Sequence, residues 1–110
     1  MDVIHHLAIP TADVAESVRW YREHTDCTID YQDATWALLG FANIKLALVV
    51  HGQHPPHFAI VRSDAERFGP LTRHRDGTRS IYVTDSAGNQ IEVMEAASLK
   101  PEAGQTPGGQ

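Results

Sequence analysis

Two histidines and one glutamate carry the chemistry that this sequence first suggests. His6 opens His6-Leu7-Ala8-Ile9-Pro10-Thr11-Ala12-Asp13, and His57 opens His57-Phe58-Ala59-Ile60-Val61-Arg62-Ser63-Asp64. Both segments read H-x-A-I-x-x-x-D and stand about half a chain apart. A second echo pairs Ile44-Lys45-Leu46 with Ile91-Glu92-Val93, each late in its own half. Alternation along a strand sets His6 and Ala8 on one face and Leu7 and Ile9 on the other. It likewise sets His57 and Ala59 against Phe58 and Ile60, and Glu92 and Met94 against Ile91 and Val93. Two imidazoles and a carboxylate then share the face away from the helix-packed core. Such a donor set, with coordination positions left open, suits a divalent metal ion: Fe(II), Mn(II), Ni(II) or Zn(II). An open position lets a substrate bind the ion directly.

The repeat implies two similar modules, about 1–50 and 55–97, each running strand, helix, then further strands. Val3–Pro10 is a β-rich apolar stretch that Pro10 ends. Asp13 with Glu16 has capping-box spacing, as does Ser63 with Glu66. Val14, Val18 and Tyr21 recur at i, i+4, i+7, which predicts an amphipathic helix to about His24. Short apolar runs at 28–33, 36–41 and 44–50, split by Asp33, Gly40 and Asn43, predict antiparallel strands. The second half predicts a strand over 57–62, a shorter helix over 64–72, and strands over 79–84 and 90–96, with a strand fragment near Arg73–Asp76. Residues 98–110 carry Pro, Gly and Gln without periodicity and read as a disordered tail. The class is α+β with a duplicated βαβββ unit.

The chain has 110 residues, enough for one compact core without disulfide staples. Its single cysteine, Cys27, excludes an internal disulfide framework and fits a reducing cytosol. The N-terminal ten residues lack the marks of a secretory signal, so a cytoplasmic location is expected. No apolar run is long enough to span a bilayer. A net charge of −5 without a basic patch excludes nucleic acid as an expected partner.

These residues resemble the vicinal oxygen chelate superfamily, which includes glyoxalase I, fosfomycin and bleomycin resistance proteins and extradiol dioxygenases. The resemblance covers roughly residues 3–96. It rests on IHHLAI, the helix opening with Asp13, HPPHFAI, and YVTDSAGNQIEVME. The last looks like the family's D-P-x-G-N-x-I-E ending, with Ser86 where proline is usual. The resemblance implies paired βαβββ modules forming an open, cup-shaped mixed sheet around a divalent metal. By motif position His6, His57 and Glu92 match the family's ligands on the first, fifth and eighth strands. It also implies a homodimer in which the first-strand ligand comes from one chain and the other two from its partner, although pairing within one chain stays open.

Three departures shape the expected activity. Glyoxalase I takes a fourth ligand, usually Glu, from the last strand of its first module. The repeat sets Lys45 opposite Glu92 there, and a protonated lysine cannot ligate; a shifted register would offer Leu46 or Ala47 instead. The potassium-binding loops of fosfomycin transferases are not evident, and the second module is trimmed. A further pattern is similar to extradiol dioxygenases: Thr72-Arg73-His74, then Ile81-Tyr82-Val83-Thr84-Asp85, Gly88 and Glu92. In that reading Tyr82 hydrogen-bonds the substrate and His74 orients it or moves a proton. The expected function is a metal-dependent, dioxygenase-like enzyme acting on a small oxygen-chelating substrate. A glyoxalase-like lyase, isomerase or thiol transferase is the first alternative, and a metal-free bleomycin-resistance-like binder the second. Lys45, if it faces the cup, would pair with an anionic substrate.

The remaining candidates read as structural. His5 neighbours His6, so alternation turns it to the opposite face with no chemical role. His51 and His54 belong to a polar loop, and His24 complements a helix C-terminus. Glu95 faces away from the donor set. Trp20, Tyr21 and Trp36 read as core or interface anchors, and Cys27 as a small buried residue. Arg73, Arg75 and Arg79 around Asp76 read as a solvated charged loop.

Overall fold

The structure, a computed structural model, describes residues 1–52 and 55–99. Its strands are β1 (Val3–Thr11), β2 (Thr28–Gln32), β3 (Trp36–Gly40), β4 (Lys45–Val50), β5 (His57–Arg62), β6 (Thr72–Arg73), β7 (Arg79–Thr84) and β8 (Gln90–Glu95). One helix, α1 (Val14–His24), follows β1. The strands form one mixed sheet in the order β2-β3-β4-β1-β5-β8-β7-β6. In each half the first strand lies parallel to the last, β1 beside β4 and β5 beside β8. At the centre β1 and β5 meet antiparallel, with Leu7 opposite Phe58, His6 opposite Ala59, and Ala8 opposite His57. An approximate two-fold through the Leu7–Phe58 pair therefore relates the paired modules, as the repeat implied.

The helix forms where its cap and its stripe agree. The Asp13 carboxylate accepts the Glu16 N–H at 3.1 Å, satisfying one of the free donors of the first turn. Val14 and Val18 are buried against Ala37, Leu39 and Leu48, with Ile9, Tyr21, Cys27 and Leu46 around them. This cluster seals the convex face of the first half. Trp20 is not part of it: the ring is half-exposed and stacks on His24, whose Nδ1 lies 2.8 Å from the Trp20 carbonyl.

The second half departs from expectation. In place of a helix over 64–72 there is one 3-10 turn, Ala65–Phe68. Gly69, at φ 137°, and Pro70 stop the chain after that turn. Gly69 also passes close to Ile81, where a Cβ would come within 2.6 Å of the Ile81 side chain. The Ser63–Glu66 capping box does not form, and the Asp64 carboxylate instead takes the Arg62 guanidinium at 2.8 and 3.0 Å. Arg62 also lies over the Phe68 ring. The strand fragment is Thr72–Arg73 alone. Arg79 is no loop residue: it sits on β7 and pairs in a forked fashion with Glu95. Of the stretch read as a tail, Ser98 closes a 3-10 turn and its hydroxyl accepts the Arg79 N–H at 2.9 Å. Residues 100–110 and His54 lie outside the described residues. Among those described, no helix is long and apolar enough to cross a membrane.

The unequal cover of the two halves has a measurable consequence. Leu48 is 1% exposed beneath α1, so Leu48→Ala should cost about 2–5 kcal/mol. Phe68 is half-exposed, and Phe68→Ala should cost less than about 1 kcal/mol. Urea denaturation of both variants checks the contrast.

Candidate metal centre

Register sets His6, Ala59 and Glu92 in one row across β1, β5 and β8. Adjacent strands are about 4.8 Å apart, so His6 and Glu92 stand roughly two spacings from each other. Ala59, fully buried, lies between them and leaves room for both side chains to lean inward. His57 sits one pair along, beside Ala8, which is equally small and buried. The small floor lets three donors converge. His6 Nε2 is 3.4 Å from His57 Nε2 and 3.3 Å from Glu92 Oε1, and His57 Nε2 is 3.4 Å from the same oxygen.

Those three side chains are only 12%, 4% and 8% exposed, so they meet in a shielded place. A point just above their plane is about 2.0–2.2 Å from every donor, the length of metal–imidazole and metal–carboxylate bonds. Two further features suit an ion. His57 Nδ1 lies 2.9 Å from the Pro55 carbonyl, to which it donates, leaving Nε2 as the bare donor. In the metal-free protein Glu92 is held ionised: burial opposes its charge, but hydrogen bonds with His57, His6 and Ser80 outweigh burial and bring its pKa well below the usual carboxylate range. The residues present thus fit a divalent ion, and all three come from one chain. That is the within-chain pairing which the resemblance left open beside ligands divided between two subunits.

Ser80 is the member that sequence reading missed. It is buried on β7, donates to Glu92 Oε2 at 2.8 Å, and so leaves Oε1 for the histidines. His74 Nε2 is 2.6 Å from the Ser80 hydroxyl and 3.8 Å from Glu92 Oε2. It therefore reaches Glu92 from the side opposite His6 and His57. Tyr82, the register partner of Glu92, meets the His57 ring edge-on at 5.1 Å between centroids. Burial, the Glu92 charge and a hydrogen bond to Glu92 push its phenol pKa up, in that order.

The position equivalent to Glu92 in the first module is Ala47, not Lys45. Glu92 is the register partner of Ala59, and Ala47 is that of Ala8, the residue matching Ala59 in the repeat. The offset is two residues, which preserves the face, so Lys45 still lies on the concave side beside His6. Its ammonium pairs with Asp30, and Thr28 also donates to that carboxylate. Burial raises the Asp30 pKa, but Lys45 and Thr28 lower it further. Gly40 makes this reach possible, since a Cβ there would lie 2.5 Å from the Thr28 hydroxyl and 2.9 Å from Asp30.

His5 also departs from expectation. β1 carries a bulge between Ile4 and His6 against β5, so strict alternation fails there. His5 Nδ1 approaches His6 Nδ1 to 2.8 Å.

No protein-family model matches the sequence, and no curated protein sequence is detectably similar to it. Solved structures with the same fold are found. The methylmalonyl-CoA epimerase of Mycobacterium tuberculosis aligns with 17% identity over 84% of this chain and 86% of its own, at a TM-score of 0.68. A glyoxalase/bleomycin resistance protein/dioxygenase superfamily member from Vibrio splendidus 12B01 aligns with 10% identity over 86% of this chain and 98% of its own, at 0.66. A hypothetical protein from Bacillus halodurans C-125 aligns with 14% identity over 94% and 99%, at 0.73. With its eight-stranded cup and paired modules, the chain has the vicinal oxygen chelate fold.

The buried charges make stability depend on pH in the metal-free protein. Glu92 has a lowered pKa, so its contribution is present above its ordinary value near 4.5 and is lost as pH falls towards the folded value. For His57, burial lowers the pKa, but the Glu92 hydrogen bond, the Pro55 carbonyl and the Glu92 charge together raise it. Its contribution is full below its ordinary value of 6.5 and is lost as pH rises through the folded value. Melting of the metal-free protein should peak between about pH 4.5 and 6.5, and Glu92→Gln should flatten the profile.

Proposed function

We propose that His6, His57 and Glu92 hold a divalent metal ion and that the chain is an enzyme acting on a small substrate that chelates the ion through two neighbouring oxygens. The observation that carries this reading is the convergence of three donors from three strands within 3.4 Å of one another. When bound, such an ion supplies Lewis acidity that stabilises negative charge developing on substrate oxygens.

The chain's own residues divide the remaining work. Glu92 is held by the Ser80 hydroxyl, which donates to Oε2 and leaves Oε1 for the ion. Tyr82 keeps its proton at neutral pH, since its pKa is raised, and a substrate oxygen in the cup would take that hydrogen bond over from Glu92. Lys45, tethered to Asp30 beside His6, would offer its ammonium to an anionic group of the substrate. His74 supports Glu92 through Ser80.

Within that reading, dioxygenase-like chemistry is the favoured reaction class: insertion of both atoms of dioxygen into a catechol ring. Ala47 at the fourth-ligand position supports it, because a three-residue donor set leaves positions for a bidentate substrate and one further small molecule. The epimerase and the superfamily members that share the fold are consistent with a metal enzyme of either the oxygen-inserting or the proton-moving kind.

Metal content of the purified protein, measured by inductively coupled plasma mass spectrometry, tests the reading. About one iron, manganese, nickel or zinc per chain is expected, and its loss in His57→Ala. No metal in either chain, even after reloading, would leave a metal-free binding protein. Given a turnover assay on catechols, Tyr82→Phe should lower kcat on the order of 10²-fold with the metal retained. An unchanged kcat would remove Tyr82 from the reaction.

A further inference from the structure

His57 and His6 face the same problem from opposite sides of the sheet centre. Each must present a bare Nε2 to the cup, which requires the ring proton on Nδ1 and an acceptor to hold it there. For His57 the acceptor is the Pro55 carbonyl at 2.9 Å. For His6 the atom facing Nδ1 is Nδ1 of His5, at 2.8 Å, with the two rings nearly perpendicular at 82°. Adjacent strand residues do not ordinarily meet in this way, because alternation sends them to opposite faces. The bulge between Ile4 and His6 is what brings them together.

Resting on the metal-site reading above, we propose that His5 is the positioning residue for His6. Its Nδ1 accepts the His6 Nδ1–H and so fixes both the ring orientation and the tautomer that leaves His6 Nε2 bare. The polarity follows from the geometry. Were His5 the donor, neutral His6 would carry its proton on Nε2, the atom that lies 3.3 Å from Glu92 and 3.4 Å from His57. That proton would block the donor. With His6 as donor, His5 carries its own proton on Nε2. The β1 bulge thus acts on the site by supplying one ligand's partner, the task that a loop carbonyl performs for the other.

Zinc affinity, read by competition with a chromogenic chelator, separates this role from packing. His5→Phe keeps a ring but has no acceptor, and it should weaken zinc binding about 10–100-fold. His5→Asn places a carbonyl acceptor there and should bind within about threefold of the parent chain. Equal affinity of His5→Phe and the parent would overturn the proposal, as would equal losses in both variants. Melting of the metal-free chains controls for folding. Should His5→Phe fail to fold, the parent chain itself decides. In zinc-loaded, ¹⁵N-labelled protein a nitrogen–nitrogen coupling across the hydrogen bond should join His6 Nδ1 to His5 Nδ1, and its absence would overturn the proposal. Failure of the parent chain to bind zinc would instead remove the metal site, and this inference with it.

Discussion

A carboxylate taken out of water must be paired, and that constraint organises the concave side of this sheet. Glu92 is 6% exposed, and burying a lone carboxylate costs several kcal/mol even after the surroundings relax. Its two oxygens are answered separately. Ser80 donates to one, and the two imidazoles face the other. Every one of these partners depends on strand register. β8 sets Glu92 beside Ala59, β5 sets Ala59 beside His6, and β7 carries Ser80 on the same face. A bulkier residue at 59 would stand between the carboxylate and His6. The donor set therefore depends on the smallness of Ala59 as well as on the donors themselves.

The approximate two-fold explains why the described residues hold one such centre and not two. Each module contributes a first-strand histidine, and the antiparallel β1–β5 pairing brings both to the middle. Only the second module contributes a carboxylate, because the equivalent place in the first is Ala47. The first half spends its concave polarity differently, on Lys45 and Asp30. There a second bulge, between Ile29 and Tyr31, interrupts the alternation of β2. Asp30 reaches Lys45, while Tyr31 stacks on Trp36 at 4.6 Å. Two bulges thus crowd the cup side with groups that strict alternation would have turned away.

How much of this was legible follows from what the sequence encodes directly. His6 and His57 were readable because each begins a copy of one repeat, and face follows from alternation. Glu92 was readable because its turn, Asp85 to Asn89, carries a motif that strand geometry preserves. Lys45 was misplaced because the register of two parallel strands is a long-range property that short echoes such as Ile44-Lys45-Leu46 do not report. The trimmed second helix was half-readable: Gly69 and Pro70 announce a stop, but the spacing of Ser63 and Glu66 does not tell that no side-chain cap forms there. The approach of His5 to His6 was not readable because a bulge is one unpaired residue and leaves no periodic trace. Ser80 shares a face with Tyr82, and that alternation would have found it had the β7–β8 pairing been known. The choice between ligands from one chain and from two was not legible, because the central β1–β5 pairing is a long-range contact that no local pattern reports.

The central claim is that one chain supplies all three donors to one ion. An anomalous-difference map from a crystal grown with zinc or manganese tests it most directly. The account predicts one peak per chain, within bonding distance of His6 Nε2, His57 Nε2 and Glu92 Oε1 of the same chain. A peak on other residues, or one whose His6 belongs to a neighbouring chain, would contradict it.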